Sequence, residues 1–300
     1  MTEEQSRTRA GFLFGVGAYL CWGLLPLYFK LVAMVPSTEI VAHRIVWSLL
    51  FLAVLATLWR RWSAIRAALG TSRVMMTLTL TALLIGSNWL IYIYAIVSGH
   101  VIESSLGYYL NPLINVLLGV ALLKEKLSRL QVVATILAAA GVAVLALGAG
   151  SGLWISFALA GTFAMYGFLR KIAPVDALEG LSIETLILTP IALGWLIWVQ
   201  QHSGGGLLAH GPGIATLLVL GGVITAVPLL LFTAAARRLP YSTMGFLQYL
   251  SPTLQFLTAV LAFGEHLTTA HMICFALIWS ALALVSFDGL RAAARARAAA

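Results

Sequence analysis

Long apolar blocks alternate with short polar stretches along the whole chain. Ten blocks qualify as candidate helices: 11–33, 37–59, 74–97, 101–123, 128–147, 152–169, 182–199, 214–236, 242–263 and 268–290. Each is about 20 residues long, enough to cross a bilayer core with its backbone hydrogen bonds closed internally. What is left makes short connections and two tails, 1–10 and 291–300. The first block carries Pro26 and Lys30 and lacks a small-residue cleavage site, so it reads as a retained helix. The expected fold class is an all-α membrane protein with ten transmembrane helices.

The pattern repeats. Displaced by 140 residues, the chain lies over itself: Tyr109-Leu-Asn-Pro112 meets Tyr249-Leu-Ser-Pro252, Asn115 meets Gln255, and Glu125-Lys-Leu127 meets Glu265-His-Leu267. Each copy holds five helices, an odd number, so the second enters the membrane from the opposite face. The expected units are a first repeat at 11–148 and a second, inverted repeat at 151–290. Inverted repeats are the architecture of alternating-access carriers, whose site lies near the midplane where the repeats meet.

Composition reinforces the membrane reading. Apolar residues make up 61% and charged residues 9%, against about 25% charged in soluble domains. The formal charge of +8 is basic, yet the cations lie between apolar blocks and form no aromatic-interleaved patch, which argues against nucleic acid as a partner. With the N-terminus inside, sixteen of the 18 Lys and Arg residues fall on the inner side, which predicts cytoplasmic tails. Cys21 and Cys274 sit far apart in apolar runs, so no disulfide, metal site or cofactor is expected. The chain has no GxSxG, HExxH or P-loop, and no residue is assigned a catalytic role. The expected partners are a small-molecule solute and the lipid bilayer. Nothing in the sequence sets the oligomeric state.

Two polar stripes stand out. Ser104, Tyr108, Asn111 and Asn115 share one face of the fourth block, and Gln248, Ser251, Gln255 and Thr258 share one face of the ninth, with Pro112 and Pro252 inside them. Lipid does not satisfy such groups, so they face the bundle interior or a watery cavity. A proline there removes a backbone donor and frees a carbonyl one turn earlier, as in a kinked or broken helix. Tyr19 and Trp22 in the first block, Asn88 and Tyr92 in the third, and Thr162 and Tyr166 in the sixth add amide and aromatic groups. The substrate-binding set is therefore Tyr19, Trp22, Asn88, Tyr92, Tyr108, Asn111, Asn115, Tyr166, Gln248, Ser251 and Gln255, a mixture suited to small amphipathic solutes.

His43, Arg44 and Glu184 are the deep ionisable residues and form the gating or charge set. Arg44 and Glu184 are equivalent at the 140 offset. At 1.5 Å per residue each lies about 10 Å below its own surface, leaving on the order of 10 Å between them. They are expected to serve opposite sides without bridging, Arg44 with His43 and Glu39 near the outer exit and Glu184 near the cytoplasmic entrance. Glu125 and Glu265 precede helix starts and read as structural, with Ser128-x-x-Gln131 a capping box.

Several segments carry a resemblance. Ala18-Tyr-Leu-Cys-Trp-Gly23 with Pro26-Leu-Tyr-Phe-Lys30, His43-Arg44 with Trp47-Ser48, Asn88-Trp89, Glu103-Ser-Ser-Leu-Gly-Tyr108, Glu184-Thr185 and Ser242-Thr-Met-Gly-Phe-Leu-Gln-Tyr249 together resemble the RarD family of the drug/metabolite transporter superfamily, built of EamA-type repeats. The resemblance implies ten helices in a five-plus-five inverted repeat, the bacterial inner membrane, and export of small metabolites or drugs. Similar superfamily members export amino acids. The expected function is thus a secondary transporter exporting amino acids or related metabolites by alternating access. A chloramphenicol-like drug exporter is the alternative, and a membrane-embedded enzyme or a channel is less favoured. Ser87 replaces a glycine expected from the family pattern and would narrow the cavity beside the third helix.

Overall fold

Twelve helices and no strand make up the described residues of the structure, a computed structural model that describes 3–147, 152–263 and 268–298. They are α1 (Glu3–Leu31), α2 (Ser37–Leu58), α3 (Trp62–Leu69), α4 (Ser72–Val97), α5 (Val101–Ala121), α6 (Arg129–Ala146), α7 (Leu153–Ile172), α8 (Ala177–His202), α9 (Pro212–Ala236), α10 (Tyr241–Gln248), α11 (Leu250–Phe263) and α12 (Thr269–Ala298). Two differences from the ten apolar blocks are structural. The first is α3, a short helix in the connection after α2, where Ile65 and Ala68 are buried and Trp62 and Arg66 are exposed. The second is the ninth block, which is divided at Tyr249 into α10 and α11. Pro252 lacks the N–H that would bond the Gln248 carbonyl, so the ladder is interrupted where α10 ends. Pro112, by contrast, sits inside a continuous α5.

Among the described residues, eight helices are long and apolar enough to cross a membrane: α1, α2, α4, α6, α7, α8, α9 and α12. The remaining candidates fall short for a physical reason. In α5, Tyr108, Asn111 and Asn115 dilute the apolar run, and α10 and α11 are each half of an interrupted helix. The shortfall therefore marks the polar stripes. Large apolar side chains such as Leu117, Ile136 and Ile191 are more than 60% exposed on the outside of the bundle, where lipid is their natural solvent. The helices run past the expected tails as well, since α1 begins at Glu3 and α12 reaches Ala298.

Contacts between helices follow an exchange rule. α5 packs on α7 as α1 packs on α11, α2 on α9 as α4 on α8, and α1 on α9 as α4 on α7; α2 meets α8, and α6 meets α12. Small residues permit the closest approaches. A Cβ on Gly222 of α9 would lie 2.6 Å from the Ser48 backbone nitrogen of α2, and one on Gly245 of α10 would lie 2.6 Å from the Pro112 carbonyl oxygen of α5. Without a hydrophobic drive inside lipid, such contacts and interhelical hydrogen bonds hold the bundle. Ser48 Oγ accordingly donates to the Gly222 carbonyl at 2.9 Å.

Polar groups stitch the helix ends. Arg61 binds Asp176 and Glu179, and Arg237 binds Asp176, so the end of α2, the start of α8 and the end of α9 meet. Lys171 donates to the carbonyls of Ala236 and Leu239, and Arg7 to that of Arg237. At the opposite end of α8, Glu39 accepts from the Gly206 N–H. The Ser128–Gln131 capping box is present at the start of α6. Glu125 accepts from the backbone N–H groups of Tyr241 and Ser242 at 2.6 and 2.8 Å and from the Ser242 hydroxyl at 2.6 Å. It therefore caps α10 from outside that helix. Glu265 lies outside the described residues.

Candidate functional site

The stripes converge on a central cavity of about 960 Å³, its open mouth included. α1, α2, α4, α5, α7, α9, α10 and α11 all reach its wall, so both halves of the chain contribute. Nine of the eleven expected binding residues line it: Tyr19, Trp22, Asn88, Tyr92, Tyr108, Asn111, Gln248, Ser251 and Gln255. Arg44 of the charge set lines it too.

The amides serve both the wall and the helix contacts. Asn88 Nδ2 donates to the Leu159 carbonyl at 2.8 Å and to Thr162 Oγ1 at 2.9 Å, tying α4 to α7. Asn111 Nδ2 donates to the Ala160 carbonyl at 2.7 Å, tying α5 to α7. Gln255 Nε2 donates to the Trp22 carbonyl at 3.1 Å. Pro26 explains that last bond, because its missing N–H leaves the Trp22 carbonyl without its helical partner. The opposite amide atoms, Asn88 Oδ1 and Gln248 Nε2, have no partner among the described residues.

An aromatic floor supports these groups. The rings of Trp22, Phe163 and Phe232 lie 5.5–5.6 Å from one another, and Tyr19 stands 5.7 Å from Trp22. Tyr19 is fully buried and donates to the Met244 carbonyl at 3.3 Å, which orients its ring. Tyr92 and Tyr108 meet edge to face at 6.3 Å on another part of the wall. Arg44 Nε donates to Thr225 Oγ1 at 2.6 Å, and its guanidinium lies 5.4 Å from the Phe29 ring and 5.7 Å from that of Trp89.

Four expected residues lie outside this wall. Asn115 is fully buried behind it and donates to Gln248 Oε1 at 2.6 Å and Asn111 Oδ1 at 3.2 Å, so it positions two wall amides. Tyr166 and Glu184 line a smaller neighbouring cavity, where Tyr166 donates to Glu184 at 3.3 Å. Thr81 also donates to Glu184, and Arg170 pairs with it at 3.4 Å. His43 is buried, and its Nε2 has no partner among the described residues. Arg44 and Glu184 are held by separate partners and do not pair. Ser87, expected to narrow the cavity, is exposed and lines no part of it, because the adjacent Asn88 takes the inward face.

Sequence reading missed Phe29, Trp89, Phe163 and Thr225 in the wall. Thr225 had a readable signal, as a hydroxyl residue between Gly221-Gly222 and Pro228 in a very apolar helix. The aromatics had none, since a ring facing lipid and a ring facing a cavity look alike in one sequence.

Helices of membrane-crossing length packed around a cavity with amide, aromatic and cationic groups define a multi-pass membrane transporter. The EamA-like transporter family matches residues 9–147. An uncharacterised transporter of Pseudomonas aeruginosa is 48% identical over 287 residues, 96% of each chain. Protein RarD of Escherichia coli is 42% identical over 287 residues, 96% of this chain and 97% of that one. A solved crystal structure 21% identical in sequence matches 93% of this chain and 98% of its own with a TM-score of 0.72, which shows a shared fold. The chain belongs to the RarD family of EamA-like transporters.

Proposed function

We propose that this protein is a secondary transporter that exports amino acids or related small amphipathic metabolites across the bacterial inner membrane by alternating access. Its ten crossings form an inverted five-plus-five repeat, 11–148 and 151–290, with α10 and α11 together making the ninth crossing and both termini cytoplasmic. The exchange rule in the helix contacts supports the repeat, since α5 on α7, α2 on α9 and α1 on α9 each have a counterpart 140 residues away, and α2 on α8 and α6 on α12 map onto themselves. The observation that carries the function is the central cavity, walled by matched stripes from α5 and from α10 and α11. A site at the junction of two inverted halves is exposed to either side as they rock. Glu184 with Arg170, between the cavity and the end of the bundle where Arg61 and Asp176 meet, is the proposed control of access from the cytoplasm.

Counterflow in proteoliposomes tests this reading. Labelled amino acids are expected to enter saturably against an excess of unlabelled solute, and Gln248→Ala is expected to reduce the flux about 10- to 100-fold through loss of a buried polar contact. Flux that rises linearly without saturation would indicate a channel instead, and a chemically altered solute would indicate an enzyme. Normal transport by both Gln248→Ala and Asn111→Ala would reduce the stripes to helix-packing contacts.

A further inference from the structure

Arg44 presents an unneutralised cation to the cavity. Its side chain is 9% exposed, and none of the ion pairs among the described residues includes it. Thr225 accepts from Nε, while the two terminal Nη groups have no acceptor among the described residues. The phenols of Tyr28, Tyr92 and Tyr108 lie close enough to interact with it. Tyr28 spends its hydroxyl on the Leu217 carbonyl. Tyr92 and Tyr108 line the cavity with hydroxyls that meet no acceptor among the described residues.

Three unspent donor groups therefore face one space, and one of them is charged. A largely buried guanidinium set among aromatic rings is costly unless an anion meets it. No Asp or Glu lines the cavity to do so. We infer that the anion is supplied by the transported solute: the cavity selects small organic carboxylates, with the carboxylate on Arg44, Tyr92 and Tyr108 and an apolar or aromatic body against Trp22 and Phe163. A planar guanidinium matches a carboxylate with two parallel hydrogen bonds. One monoanion neutralises one guanidinium, whereas a phosphate dianion would leave the site charged. A cationic solute would add like charge to an already positive cavity. An α-amino group is accommodated by the amide oxygen of Asn88 but is not required. This inference rests on the cavity being the transport site.

Binding to the purified full chain in detergent, by tryptophan fluorescence and thermal shift, tests it with four related solutes: 3-phenylpropionate, L-phenylalanine, L-phenylalaninamide and 2-phenylethylamine. The two acids are expected to bind at least about tenfold more tightly than the amide and the amine, a typical loss for a charge-assisted hydrogen bond. Arg44→Gln is expected to remove that preference, and Arg44→Lys to restore part of it. Should Arg44→Gln fold poorly, the Tyr92→Phe/Tyr108→Phe double variant is expected to weaken the acids while leaving the amide unchanged. Equal binding of all four solutes, or undiminished acid binding by a folded Arg44→Gln protein, overturns the anion site while leaving a solute cavity in place. Absence of both binding and counterflow for every solute overturns the transport reading together with this one.

Discussion

At the residue scale, the Arg170–Glu184 pair shows how this bundle tolerates buried charge. Both side chains are essentially inaccessible, at 0% and 1% exposure, and the pair distance is 3.4 Å. Glu184 gains hydroxyl donors from Thr81 and Tyr166, and Arg170 gains the Ala177 carbonyl. Gly180 makes the arrangement possible, because a Cβ there would collide with the Arg170 guanidinium. Removing one partner of such a pair leaves the other charge stranded, at a cost of about 3–5 kcal/mol, whereas removing both is far milder. Glu184→Gln is therefore expected to lower the melting temperature in detergent markedly, and Arg170→Gln/Glu184→Gln to recover most of the loss. A double variant less stable than Glu184→Gln would show that the two side chains are held independently. Sequence singled out Glu184 as a deep charge but not its partner, since Arg170 lies at the end of an apolar run and reads as a topology signal. Only the α7–α8 turn brings it back over Gly180.

At the scale of elements, the most consequential departure from a plain helix is the α10–α11 break. It places Gln248 at the end of α10 and Ser251 and Gln255 on α11, and all three line the cavity wall. Glu125 holds α10 in place through the Tyr241 and Ser242 N–H groups, where a carboxylate also complements the helix dipole. Glu125→Ala is expected to cost about 1–2 kcal/mol, as for other lost helix caps. It is also expected to raise amide hydrogen exchange across 241–248 and to reduce transport through Gln248. Unchanged exchange in that segment would mean that packing on α1, α5 and α9 positions α10 without the cap. The pair α6–α12 behaves oppositely. Ala134 and Ala138 are fully buried, Gly141 approaches the Cys274 carbonyl, and neither helix contributes to the cavity wall. A bulky maleimide on Ser280→Cys, which is exposed, is expected to leave transport intact; strong inhibition would count against a peripheral place for α12. Apolar periodicity revealed the long helices and the small-residue faces because lipid requires both. It missed α3, whose eight residues are too short for a membrane signal, and it joined α10 to α11 because a break at one residue leaves the hydropathy continuous.

At the scale of the whole molecule, the helix ends themselves report which segments share a side. Arg61 after α2, Asp176 and Glu179 at the start of α8, and Arg237 after α9 are joined by ion pairs, so these ends are neighbours. Arg7 at the start of α1 reaches the Arg237 carbonyl and belongs to the same end. α8 has 26 residues, which at 1.5 Å per residue spans about 39 Å, more than a bilayer core of about 30 Å. Ser203, just beyond it, must then lie on the far side from Arg66, which sits in α3 beside Arg61. Both positions are exposed, so each accepts a labelling cysteine without disturbing the core. The proposed orientation, which follows the excess of Arg and Lys at the Arg61 end, puts that end in the cytoplasm. In a background with Cys21 and Cys274 replaced, a membrane-impermeant maleimide is expected to label Ser203→Cys on intact cells. Arg66→Cys is expected to react only in inverted vesicles. Labelling of both from one side would be incompatible with α8 as a single crossing, and the pairing of five helices with five inverted ones would fail with it.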